Sequence, residues 1–198
     1  MARAGGTLPA IDEALEVKGT PVRAMVAFID KRLTPEQKAR VIRALPPVAA
    51  DLLTRHAILA VETVPVTALN RITEAAAKES GTAVDVFARE AGRAAADEAV
   101  HGIWKLAAAL VTPTTLLAKG SRLWSTVYSR GRLEIEQPET GLAVVTLADF
   151  PCEEVCCARI SGWYERLFEL ARAKNIRVEQ VECYAKGAPA CRWTLRWD

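Results

Sequence analysis

Five cysteines fall in the last third of the chain: Cys152, Cys156, Cys157, Cys183 and Cys191. Cys183 and Cys191 stand at mirror positions about Gly187, so a hairpin folded there sets the two thiols side by side. Zinc takes thiolate, imidazole and carboxylate ligands in a tetrahedral shell, and a hairpin pair supplies two of them. Cys156 or Cys157, at the start of the preceding helix, supplies a third, where the helix amides favour a thiolate. Glu179 or Glu182 is the expected fourth ligand. Two other readings stay open. Free cysteine is a small, commonly buried apolar residue, and Cys183 with Cys191 is also placed for a cross-strand disulfide.

Catalytic patterns are lacking. The two histidines, His56 and His101, belong to no HExxH pattern, and there is no GxSxG and no phosphate-binding glycine loop. No cysteine has a histidine base placed beside it by the sequence, so the chain is not expected to be an enzyme. The tryptophans offer a different chemistry. Trp193 and Trp197 lie with Cys191 on one face of the last strand, where they either pack in the core or wall a pocket for a flat apolar ligand. Trp163, Trp124 and His101, on helical stretches, complete the candidate ligand-binding set.

These residues need helices and a sheet to hold them. Residues 1–20 read as an arm in which Leu15 and Val17 could form a short strand. Pro21 opens a helix to about Leu33. Thr34, Pro35 and Gln37 form a capping box for the next, which ends at Pro46-Pro47. An apolar stripe predicts a further helix from Val48 to about Val61, and another runs from Val66 to a stop at Gly81. The longest predicted helix runs from Thr82 to about Leu110 and is rich in alanine. It serves either as a central core helix or as the seam of a homodimer. Thr112-Pro113 starts one more helix. After Gly131 the period changes to that of strands: 132–136, 142–147, 176–184 and 190–197, with a helix from Cys152 to about Lys174 between the hairpins. A bulge is expected near Glu179 and Gln180. The expected fold is α+β: a helical N-terminal part packed on an antiparallel sheet formed by two C-terminal hairpins with an intervening helix. Residues 21–198 form one domain, with the helical part at 21–130 and the sheet-containing part at 131–198.

Composition narrows the function. Among 198 residues, 51% are hydrophobic and 25% charged, with a net charge of +2. Interleaved charges of so small a sum give no footprint for nucleic acid. No apolar run reaches the roughly 18 residues of a membrane span, and the start does not read as a signal peptide. An odd number of cysteines without an export signal points to reduced thiols in the cytoplasm.

The stretch from Ile176 to Leu195, with Cys183, Gly187, Cys191 and Trp193, resembles the close of the 4-vinyl-reductase domain, and Cys157 to Tyr164 resembles its helix start. That fold is similar to haem-NO-binding domains and to subunits of the TRAPP tethering complex. Leu33 to Gln37, Arg89 to Arg93, Arg122 to Trp124 and Gly187 to Trp193 resemble a myxobacterial paralogous family of unassigned function. The resemblance implies a structural zinc on Cys157, Cys183 and Cys191. Gln180 stands where those relatives carry a glutamate, so Glu179 or Glu182 has to replace it. No histidine matches a haem ligand of the haem-NO-binding relatives, so no haem is expected. The expected function is a non-enzymatic cytoplasmic binding or regulatory module for a small hydrophobic ligand, a partner protein, or both. A homodimeric scaffold joined through its helices and a reductase-type enzyme are the alternatives.

Overall fold

A computed structural model describes residues 15–99 and 112–198. The first described residues form β1 (Glu16–Lys18), which pairs antiparallel with β2 (Thr63–Pro65). Between them run α1 (Gly19–Arg32), α2 (Pro35–Ala44) and α3 (Pro47–Thr54). The capping box forms as the sequence predicts. The Gln37 N–H donates to Thr34 Oγ1 at 3.2 Å, and the Thr34 N–H donates to Gln37 Oε1 at 2.9 Å. Thr34→Ala is expected to cost about 1 kcal/mol, read from urea denaturation midpoints.

The helix expected to reach Val61 ends at Thr54. The chain leaves helical geometry at Arg55 (φ −71°, ψ 149°), whose guanidinium bridges Asp51 and Glu62. The stripe misleads because Leu59 and Val61 are 63% and 75% exposed. Only Ile58 of that stretch turns inward, and the chain must run back for Val64 to pair with Val17.

Next come α4 (Val66–Ser80), stopped by Gly81 in the left-handed region (φ 67°), and α5 (Val84–Ala99). The expected single helix after Thr112 is two: α6 (Pro113–Ala118) and α7 (Gly120–Val127). At Gly120 the chain approaches β3 so closely that a Cβ would lie 2.8 Å from Ile135 Cδ1.

The C-terminal part is β3 (Arg132–Glu139), β4 (Leu142–Ala148), α8 (Glu154–Leu170), β5 (Arg177–Glu182) and β6 (Cys191–Arg196). The strands form an antiparallel sheet in the order β3-β4-β6-β5, so the α+β reading holds. Register shifts between Gln180 and Glu182, next to the expected bulge. On β6, Cys191, Trp193 and Leu195 point into the core, because alternation puts them all on the face that α8 covers.

Helices α5 and α8 pack at unusually close range. A Cβ on Gly92 would lie 1.9 Å from the Arg159 carbonyl oxygen, and one on Gly162 would lie 2.1 Å from that of Arg89. Two small residues at one crossing let the backbones touch. Ion pairs Arg93–Glu169 (2.8 Å), Arg166–Asp97 (2.8 Å) and Arg89–Glu165 line the outside of the same crossing. Ala88, Ala91 and Ala96 are buried within the single chain by this packing. Ala107, Ala108 and Ala109 lie outside the described residues. Among the described residues no helix is long and apolar enough to cross a membrane.

Candidate functional site

A cavity of about 370 Å³ opens between α1, α5, α6, α7, β3 and α8. Its size falls within the range typical of small-molecule sites. Small residues create the space. Ala24, Ala91, Gly92 and Ala95 line it where larger side chains would fill it. Met25, Leu117, Trp124, Leu133, Ile160 and Trp163 supply broad apolar walls. Trp124 is held by its Nε1–H donating to the Arg130 carbonyl (3.1 Å), by stacking on Tyr128 (4.2 Å) and by an edge contact with Phe150 (4.9 Å).

Among the described residues few polar groups reach the cavity. Arg159 on α8 lines it and is only 8% exposed. Tyr128 and Tyr164 line it too, and burial raises both phenols well above their ordinary range, so both remain protonated donors.

Of the residues singled out from the sequence, Trp124 and Trp163 line the cavity. Trp193 and Trp197 do not. Trp193 is fully buried between β6 and α8, where its Nε1–H donates to Ser161 Oγ at 2.9 Å. Trp197 packs edge-on against Phe168 at 5.1 Å. His101 lies outside the described residues. Arg159, Tyr128 and Tyr164 were missed by sequence reasoning, although Arg159 left a signal. It sits four residues from both Val155 and Trp163, which puts a cation on the inward stripe of α8.

Behind the sheet-facing side of α8 lies a cluster of thiols. Cys157 Sγ is 3.6 Å from Cys152 Sγ and 3.4 Å from Cys191 Sγ. All five cysteines are buried free thiols. Thiol donors Cys152 and Cys157, with the Tyr184 N–H, hold Cys191 well below the ordinary thiol range. The Cys157 thiol lowers Cys183 in the same way. Lys186 ties the hairpin to the start of α8 through Glu154 (2.9 Å). Sulfurs bound to one tetrahedral zinc at about 2.3 Å sit about 3.8 Å apart, close to the spacing here. The structure thus brings Cys157 and Cys191 together with Cys152, and Cys183, the other expected ligand, lies outside that three-thiol group. Glu182 instead pairs with Arg192 (2.7 Å), Glu179 is exposed, and Gln180 donates to the Glu182 carbonyl (3.1 Å).

No family model and no curated protein matches the sequence. Solved structures do match the fold. An oxygen-binding H-NOX domain related to soluble guanylate cyclases, in its oxygen complex, aligns with a TM-score of 0.67 at 16% identity, over 91% of this chain and 95% of that one. An H-NOX protein from S. oneidensis in the Fe(II)NO ligation state aligns with a TM-score of 0.71 at 10% identity, over 91% and 99%. A structure from a study of heme distortion in the H-NOX family aligns with a TM-score of 0.67 at 18% identity, over 91% and 94%.

The chain has the H-NOX fold. Of the folds that the C-terminal residues resemble, this is the haem-NO-binding one. The expectation of no haem is therefore corrected: proteins of this fold include one solved in an Fe(II)NO ligation state and one from a study of heme distortion. The described lining fits a haem in part. Apolar walls suit the ring, and the buried Arg159 suits a propionate. For the iron, the described lining residues offer Met25, Tyr128 and Tyr164 but no imidazole or thiolate. His101 stands two residues beyond Ala99, which lines the cavity.

Proposed function

We propose that the chain is a cytoplasmic sensory module that takes a largely apolar ligand into the cavity between α5, α7 and α8. The observation that carries this reading is the cavity itself, about 370 Å³ in volume, with mostly apolar walls and a few convergent polar groups. Sensing requires that ligand occupancy favour one arrangement of the helices over another. The α5–α8 crossing, which forms a wall of the cavity, is the element to be shifted. Binding, rather than turnover, is the proposed activity. Free buried thiols accord with a reducing cytoplasm.

Haem is a second reading of the same cavity, favoured by the H-NOX neighbours and by the place of His101 in the sequence. Arg159 would hold a propionate and the tryptophans the ring, and His101, outside the described residues, is the histidine to test as the iron ligand. Bound there, haem would supply a ferrous centre for a small gas. Spectra of the chain produced with a haem precursor, beside native mass spectrometry of the same protein, test both readings. A Soret band that is lost in His101→Ala supports haem, and a released organic mass without a Soret band supports the first reading. An empty cavity by both methods, with no thermal shift across a panel of hydrophobic compounds, sinks the sensory role.

We propose further that the thiol cluster is a structural zinc site on Cys157, Cys183 and Cys191, with Cys152 completing it in place of a carboxylate. The 4-vinyl-reductase resemblance supports the first three and the geometry supports Cys152. Elemental analysis of protein purified without chelator is expected to find near-stoichiometric zinc. Cys191→Ser is expected to lose it, together with thermal stability, because metal affinity at such a site contributes to folding free energy.

A further inference from the structure

We infer that the cavity's ligand carries a carboxylate on an otherwise apolar body, and that Arg159 receives it. This rests on the cavity being the ligand site. Arg159 is 8% exposed and lines a predominantly apolar space. A guanidinium offers five N–H donors, and an unpaired buried charge is costly. Among the described residues, Arg159 has one hydrogen-bond partner, the Thr73 hydroxyl at 3.3 Å from Nη1. That hydroxyl is neutral, and its own hydrogen already goes to the Leu69 carbonyl at 2.7 Å.

Among the described residues no carboxylate pairs with Arg159. Glu153, at the start of the same helix, is engaged by Asn70 (2.7 Å) and Arg71. Glu98, the one acid among the described lining residues, is exposed. Outside the described residues, 100–111 contain no acid and 1–14 contain Asp12 and Glu13. Neither Tyr128 nor Tyr164 has a hydrogen-bond partner for its hydroxyl among the described residues, so two neutral donors lie in the same lining as the cation. A neutral apolar molecule would leave all three unmatched. A carboxylate can take two parallel N–H bonds from the guanidinium while its apolar body fills the remaining space.

Two classes of compound offer that chemistry: a fatty or aryl monocarboxylate, and a tetrapyrrole bearing propionates. Titration calorimetry of the full chain with dodecanoate and with 1-dodecanol compares one apolar chain with and without the charge. The carboxylate is expected to bind about tenfold to a hundredfold more tightly, the range of a charge-assisted hydrogen bond. Arg159→Met is expected to remove that margin and leave the alcohol unchanged. Haemin and its dimethyl ester form the second arm, read by Soret absorbance. A preference for the free acid in that pair assigns the carboxylate to a tetrapyrrole, and a preference in the dodecanoate pair alone assigns it to an acyl chain.

Equal binding of acid and neutral partner in both pairs, or a margin that survives in Arg159→Met, overturns the role of Arg159 while leaving the cavity as a ligand site. Binding of none of the compounds overturns both. A circular dichroism melt checks that Arg159→Met folds. If it does not, Arg159→Lys keeps the charge and loses the fork, and an undiminished carboxylate margin there counts against the inference. The wild-type comparison stands without any variant.

Discussion

Gly92→Ala is expected to destabilise the chain by about 3 kcal/mol or more, a fall in melting temperature on the order of 10 °C. The added Cβ would lie 1.9 Å from the Arg159 carbonyl oxygen and 2.8 Å from its carbon. Both obstacles are backbone, so no side chain can swing aside. Relief requires α5 and α8 to move apart, which breaks packing along both helices and stretches the ion pairs Arg93–Glu169 and Arg166–Asp97. Gly162→Ala meets the Arg89 carbonyl oxygen at 2.1 Å and should behave alike. The double variant should cost less than the sum, because one separation of the helices relieves both clashes. Since Gly92 and Arg159 both line the cavity, Gly92→Ala should also weaken ligand binding. Urea melts of the three variants check this, and a Gly92→Ala melt that overlays the wild type would refute the close crossing.

How much of this was legible in the sequence depends on how local the signal was. The Thr34–Gln37 capping box and the Gly81 stop involve neighbours within a few residues, and both formed as read. The two hairpins, their alternation on β6 and the antiparallel sheet are likewise written in short windows. The end of α3 was not, because Leu59 and Val61 keep helical spacing while facing solvent, and what stops the helix is the pairing of Val64 with Val17, 47 positions apart in sequence. The cavity was not legible either. It consists of space left by Ala24, Ala91, Gly92 and Ala95, and missing volume leaves no motif. The sequence pointed to Glu179 and Glu182 beside the cysteines because they are near Cys183 along the strand. Folding instead pairs Glu182 with Arg192 and brings in Cys152 from before α8. Haem was set aside for want of a matching histidine, a test by local motif. The likeness to H-NOX structures, at 10–18% identity in the alignments above, resides in the arrangement of elements and not in residue identities.

Trp193→Ala is expected to be the most damaging single truncation in the sheet, costing about 4–5 kcal/mol, whereas Trp163→Ala should cost much less and act on binding instead. The sequence offers both as candidate ligand-binding residues with core packing as the alternative; the structure gives them different work. Trp193 is fully buried, faces Val145 across the sheet and lies 6.4 Å from the Tyr164 ring between centroids. Its Nε1–H donates to Ser161 Oγ, which donates in turn to the Cys157 carbonyl at 3.0 Å. Truncation therefore opens a void the size of an indole between β6 and α8 and releases the turn of α8 that carries Cys157. Trp193→Phe keeps most of the volume and loses only the hydrogen bond, so it should cost less, about 1–3 kcal/mol for leaving the buried Ser161 hydroxyl without its donor. Trp163 lines the cavity and is only partly buried. Its removal enlarges space that is already open, so denaturation midpoints should move little while the affinity for apolar ligands falls. Equal losses of stability in Trp193→Ala and Trp163→Ala would show that no such division exists. A Trp193→Ala chain that melts like the wild type would mean that the sheet is not fastened to α8 by this residue.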